Sequence, residues 1–151
     1  MLREKIDNAM KAAMKAQEKL RLSTLRLVNA AIKNADIEAR TANKPPLSDD
    51  DLLGLLQKLI KQRQDAIEIY DKGGRAELAK KERDEIEIIK GFLPAQLSEA
   101  EAKAAIAGVI KDVGAVGPKD MGKVMAALKE RYAGKMDFSK ASGLVKGLLT
   151  G

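Results

Sequence analysis

Apolar residues recur along this chain at steps of three and four, and strict apolar–polar alternation is nowhere sustained. That period belongs to helices with one buried side, and it predicts an all-α protein. The first helix is predicted over residues 2–20, with Leu2, Ile6, Ala9, Met10, Ala13, Ala16 and Leu20 on its apolar side. The second, over 22–39, turns Leu22, Leu25, Val28, Ile32 and Ala35 inward, and Ser23 either caps it or lies within it. After a polar turn, Ser48-Asp-Asp-Asp51 reads as an N-cap followed by carboxylates at the positive end of a helix dipole. The third helix then buries Leu52, Leu56, Leu59, Ile60, Ala66, Ile67 and Tyr70, and Gly73-Gly74 supplies left-handed backbone at its end. A fourth, over 76–92, buries Leu78, Ile86, Ile89 and Phe92.

Pro45, Pro46, Pro94 and Pro118 all fall where the helical period breaks. Proline lacks an N–H donor and clashes inside a helix, so this placement fits a helix-only chain. At Pro94 the composition changes: nine of the twelve glycines lie from Gly91 onward. Ser98-Glu-Ala-Glu101 is a capping box that opens a fifth helix, with Ile106, Val109, Ile110 and Val113 apolar. A sixth helix, over 119–132, buries Met121, Val124, Met125 and Leu128. A last one carries Ala141, Leu144, Val145 and Leu148. The expected architecture is two helical subdomains, four helices in residues 1–93 and three in 94–151. Gly108, Gly122 and Gly143 fall inside helices, where each costs about 1 kcal/mol against alanine. Close helix packing is the expected reason for them, ahead of local mobility.

Composition narrows the chemistry. Of 151 residues, 45% are hydrophobic and 33% charged, enough for a globular core. There is no cysteine and no histidine. Disulfides, thiolate metal sites and cysteine catalysis are excluded, and the commonest general base is missing. No carboxylate cluster has metal-ligand spacing, so no metal or cofactor is expected. No apolar run approaches the roughly 18 residues that span a bilayer. The first residues carry no apolar signal segment, and a cytoplasmic location without a membrane partner is expected. The serines are Ser23, Ser48, Ser98, Ser139 and Ser142. Two are better explained as caps, and Ser139 and Lys140, adjacent on a helix, point apart. Gly73-Gly74-Arg75 lacks the Gly-Lys-Ser/Thr ending of a phosphate-binding loop. Asp84, Glu85 and Glu87 fall among lysines and read as a solvated face. No catalytic residue is assigned, and an enzyme is the weaker class.

The net charge of +6 gives a bias toward anionic partners, although solubility explains it equally well. Aromatic residues make up 3% (Tyr70, Tyr132, Phe92 and Phe138), too few for a base-stacking platform. A nucleic-acid partner would be read through phosphates and shape. Lys11, Lys15 and Lys19 form a stripe at steps of four, and Arg26, Lys33 and Arg40 recur at steps of seven. A solvated helix face is the ordinary explanation of both. Lys119, Lys123, Lys135 and Lys140 crowd the turns of the second group, where helix-start N–H groups and lysines together hold phosphate.

Four phrases in order extend this reading over essentially the whole chain. Asp120-Met-Gly-Lys-Val-Met125, followed by Gly134-Lys135, resembles the tail of the B subunit of tRNA-dependent amidotransferases. Phe92-Leu-Pro-Ala-Gln-Leu-Ser-Glu99, Leu25-Arg-Leu-Val-Asn-Ala-Ala-Ile-Lys33 and Tyr70-Asp-Lys-Gly-Gly-Arg75 are similar to phrases of the free-standing YqeY-like proteins. The resemblance implies a GatB/YqeY-type fold and a non-catalytic tRNA-binding accessory. Lys119, Lys123, Lys135 and Lys140 would contact phosphates, and Gly122 and Gly134 would permit close approach. Two alternatives stand beside the accessory role: a module whose long N-terminal helices dock on an amidotransferase or aminoacyl-tRNA synthetase, and part of a carbon–nitrogen ligase with glutamine as amide donor. The larger enzyme is a carbon–nitrogen ligase with glutamine as amide donor, and its kinase and amidase sites lie in parts this chain lacks. Two differences stand within the tail phrase: Lys123 where glutamine is common, and Met136-Asp137 in place of Asn-Pro.

Overall fold

Seven α-helices account for the periodicity in a computed structural model that describes residues 1–150: α1 (Leu2–Lys15), α2 (Lys19–Thr41), α3 (Asp49–Lys72), α4 (Ala76–Lys90), α5 (Glu99–Val113), α6 (Met121–Arg131) and α7 (Phe138–Thr150). A 3₁₀ turn, Pro118–Asp120, leads into α6. The chain forms two units, Met1–Leu93 and the residues from Pro94 onward.

In the first unit α1 packs on α2, α3 packs on α4, and α2 touches α3 and α4 as well. The core gathers Leu2 and Ile6 of α1, Leu25, Val28 and Ile32 of α2, Leu52, Leu56 and Ile60 of α3, and Ile86 and Ile89 of α4. Arg3 ties the start of α1 to distant chain. Its two terminal nitrogens donate to the Asp36 carboxylate, each at 2.8 Å, and one also donates to the Leu47 carbonyl at 3.2 Å. Ser48 accepts the Asp51 N–H and Asp51 accepts the Ser48 N–H, so α3 opens with a complete capping box. Ser98 and Glu101 do the same for α5.

Several sequence expectations give way here. The first helix stops at Lys15 instead of running to Leu20, because Gln17 enters the left-handed region at φ 57° and the chain turns before α2. Ser23 lies within α2 and donates to the Leu20 carbonyl. In α4 the inward place belongs to Ala79, fully buried, while Leu78 is 39% exposed. Phe92 lies beyond the end of α4 and packs half-buried on the core. Glu85, expected on a solvated face, is buried against Arg63 of α3. Of the paired glycines after α3, Gly74 is left-handed at φ 70° and Gly73 is not.

The second unit packs α5, α6 and α7 against one another around Ile106, Val109, Val124, Leu128, Met136, Ala141 and Val145. Gly114 closes α5 in the left-handed conformation at φ 68°, a cap that glycine adopts without steric cost. Gly108, Gly122 and Gly143 are not packing contacts. A Cβ added at any of them meets nothing within 4 Å.

Candidate nucleic-acid interface

The turn between α6 and α7 determines how the second unit presents its lysines. Gly134, buried and left-handed at φ 74°, reverses the chain after Tyr132. The segment after Pro94 is laced to this turn. The Leu97 N–H donates to the Lys135 carbonyl at 2.8 Å, and the Gln96 side-chain amide donates to the Gly134 carbonyl. These bonds satisfy backbone groups that burial would otherwise leave unpaired. The Leu-Pro-Ala-Gln-Leu phrase marked this segment in the sequence, but nothing local marked its pairing partner.

The lysines fall into two pairs. Lys119 lies in the 3₁₀ turn and Lys123 in the first turn of α6. Lys135 lies in the turn after α6, half-buried, and Lys140 in the first turn of α7, exposed. α6 lies between Lys119 before it and Lys135 after it, and its 11 residues span about 16 Å at 1.5 Å per residue. A single phosphate is too small to touch both ends of such a helix. None of the four lysines forms an ion pair among the described residues. Asp112–Arg131 and Glu99–Lys103 in the same unit do. Gly122, exposed on α6 beside Lys123, leaves open space where a side chain would stand.

Asp120 shapes the first pair. Its carboxylate accepts the Val116 N–H at 3.0 Å, and its own N–H donates to the Gly117 carbonyl at 3.0 Å. The Val116 hydrogen bond, with help from the N–H of Gly117 and the charges of Lys119 and Lys123, holds its carboxyl below the ordinary value. Asp120 therefore stays ionised and offsets part of the positive field while it fixes the turn that carries Lys119.

Beside the second pair a cleft of about 640 Å³ opens between the starts of α5 and α7. Leu97, Met136 and Leu144 line it with Glu99, Asp137 and Lys140. Both helix starts are already capped. Ser98 serves α5, and the Asp137 carboxylate accepts the Ser139 N–H at 2.9 Å. Lys140 is then the cleft's cationic group, opposed by two carboxylates, so the cleft itself is no anion trap. Among the described residues no group of three or more acidic side chains is placed to hold a metal ion. Among the same residues no helix is long and apolar enough to cross a membrane.

These features define a two-unit helical protein with unpaired lysines at both ends of one helix of its smaller unit. The model of the YqeY-like protein family matches residues 3–149, and the chain belongs to that family. It is 39% identical over 107 residues to altered inheritance of mitochondria protein 41, mitochondrial, of Lachancea thermotolerans, covering 69% of this chain and 55% of that one. The proteins of the same name in Kluyveromyces lactis and Pyrenophora tritici-repentis are 31% and 33% identical. Those matches cover 91% and 81% of this chain, and 70% and 68% of the relatives. The chain spans about half the length of several curated relatives it matches, 55% for the Lachancea protein and 44% for that of Vanderwaltozyma polyspora.

Proposed function

We propose that this protein is a non-catalytic tRNA-binding accessory, working in the cytoplasm, whose second unit contacts the phosphate backbone. The observation that carries the reading is the pair of lysine sites, Lys119 with Lys123 and Lys135 with Lys140, at opposite ends of α6 and free of ion pairs. Cationic points toward the two ends of a helix about 16 Å long suit a folded polyanion. With few aromatic residues to stack bases, the surface favours shape and phosphates over unpaired sequence. The likeness of Asp120–Met125 and Gly134-Lys135 to the amidotransferase tail supports the same partner.

The test is a titration of the whole chain with labelled tRNA, and with unstructured RNA of equal length, at several salt concentrations. Tighter binding of tRNA, falling steeply with salt as counterions are released, is expected. Equal and weak binding of both RNAs overturns the reading. A second role, docking on an amidotransferase or aminoacyl-tRNA synthetase, is favoured by the exposed aliphatic residues of α2. A complex recovered with either enzyme after nuclease treatment is its expected sign.

A further inference from the structure

α2 buries Thr24, Leu25, Val28, Ile32 and Ala39 on one side. The opposite, solvent side of such a helix ordinarily carries charge. Here it does not. Ser23, Leu27, Ala30, Asn34, Ile37 and Thr41 follow one another at steps of four and three, all exposed and all uncharged. Leu27 is 53% and Ile37 58% exposed. Steps of four and three in alternation are those of a coiled-coil seam, with Leu27, Asn34 and Thr41 at one class of seam position and Ser23, Ala30 and Ile37 at the other. Exposed aliphatic residues scattered singly need no explanation, but an uncharged file in a heptad register does.

Three further features fit a seam. The Ser23 hydroxyl donates to the Leu20 carbonyl and the Thr41 hydroxyl to the Ile37 carbonyl, each at 3.0 Å, so neither needs water when covered. Asn34 holds the kind of seam position at which a buried amide sets register. Arg26, Lys33 and Arg40 take the flanking place in each successive heptad, all exposed and none in an ion pair among the described residues, whereas Arg3, Arg21, Arg63, Arg83 and Arg131, though not Arg75, are paired. The flank on the other side offers Ala31, half-buried, and Glu38, exposed, while Thr24 in the preceding heptad is buried in the core.

We propose that this face of α2 docks a partner helix with an apolar seam and acidic flanks. Charge selects the occupant. A second copy set antiparallel would bring basic flank against basic flank. Set parallel, it would match Lys33 with Glu38 but leave Arg26 and Arg40 opposite uncharged residues. An acidic partner satisfies all three cations. The proposal is independent of the tRNA reading, because its residues lie in the first unit.

The probe is a labelled peptide of about three heptads, leucine at its seam positions save one asparagine, glutamate at both flanks. Glutamate flanks repel one another, which keeps the peptide from pairing with itself. Fluorescence anisotropy with the full chain should show saturable binding that weakens with salt. The same peptide with lysine flanks should bind at least about tenfold more weakly. The double variant Leu27→Asp with Ile37→Asp should lose binding about tenfold or more with unchanged helicity and melting temperature, since both side chains face solvent. No binding, equal binding of the two peptides, or full binding by the double variant overturns the proposal. So does sedimentation of the chain as a dimer that the double variant dissolves, which would make a second copy the occupant. A loss of tRNA affinity on replacing Arg26, Lys33 and Arg40 by glutamine, without peptide binding, would assign the face to RNA instead and equally overturn it.

Discussion

The Arg63 Nε–H donates to Glu85 Oε2 at 2.8 Å, joining α3 to α4 where both side chains are largely covered. The same guanidinium donates to the Leu59 carbonyl at 3.1 Å and lies 3.9 Å from Glu82. Removing one member of a covered pair leaves the other charge without compensation. Arg63→Met is therefore expected to lower unfolding free energy by about 3 kcal/mol, read from urea denaturation. Adding Glu85→Leu to that variant should recover most of the loss, because an apolar pair can replace a covered ion pair.

Glu82 and Asp36 should give the protein pH responses of opposite sign. Burial, with the nearby Glu85 charge, raises the Glu82 carboxyl. Between the ordinary and the raised value the folded state holds more proton than the unfolded chain, so this group's contribution is complete below the ordinary glutamate range and falls as pH rises through the raised value. Glu82→Gln should raise the melting temperature at pH 7, and the gain over the wild type should shrink toward pH 4.

At Asp36 the hydrogen bonds from Arg3 lower the carboxyl. Its contribution is present above the ordinary aspartate range and is lost as pH falls through the lowered value. Asp36→Asn should cost stability at pH 7 and little once the medium is acid enough to protonate the wild-type carboxyl. Arg3→Lys should not preserve the interaction, since an ammonium cannot match both carboxylate oxygens with a planar fork. Melting curves from pH 2 to 7 check both variants.

Two glycines of one helix should respond oppositely to the same substitution. Gly108 lies inside α5 with open space around it, and Gly108→Ala should stabilise by about 1 kcal/mol. Gly114 ends that helix at φ 68°, also with open space, so Gly114→Ala carries only the backbone strain and should destabilise by about 1 kcal/mol. Chemical denaturation of the two variants side by side separates packing from conformation.

For RNA, replacing Lys119 and Lys123 together by glutamine should reduce the slope of log affinity against log salt by about 2 if each holds one phosphate. The same replacement at Lys135 and Lys140 should give a similar reduction. A slope unmoved by either pair would place the contacts elsewhere.

Much of the helical scaffold was legible because its determinants are local. Ser48 with Asp51 and Ser98 with Glu101 announce helix starts within four residues, and Leu52, Leu56 and Ile60 declare a face by spacing alone. The misreadings have non-local or unsignalled causes. Glu85 looks solvated until Arg63, 22 positions earlier, is brought against it. Gln17 takes a left-handed conformation with neither glycine nor proline to mark it, while Leu20 keeps the apolar period running across the break. Ala79 displaces Leu78 from the core by one register place, a shift set by how α4 meets the other helices and not by its own pattern. At the candidate interface the lysines were visible as residue types. Their division between the start of α6 and the turn after it was visible too, whereas the pairing of Gln96 and Leu97 with Gly134 and Lys135 was not, because it joins segments 38 residues apart.

The fork of Arg3 has a consequence for the order in which the chain takes shape. Its partners lie 33 and 44 positions downstream, at Asp36 and Leu47. During synthesis at the ribosome α1 emerges before its anchors: the fork on Asp36 waits for most of α2, and the bond to Leu47 waits for the chain beyond it. The α1–α2 contacts precede it, and the start of α3 arrives with it. Nascent chains cut short before Leu47 should therefore hold α1 more loosely than the finished unit does, and leave its apolar face open to chaperones for longer.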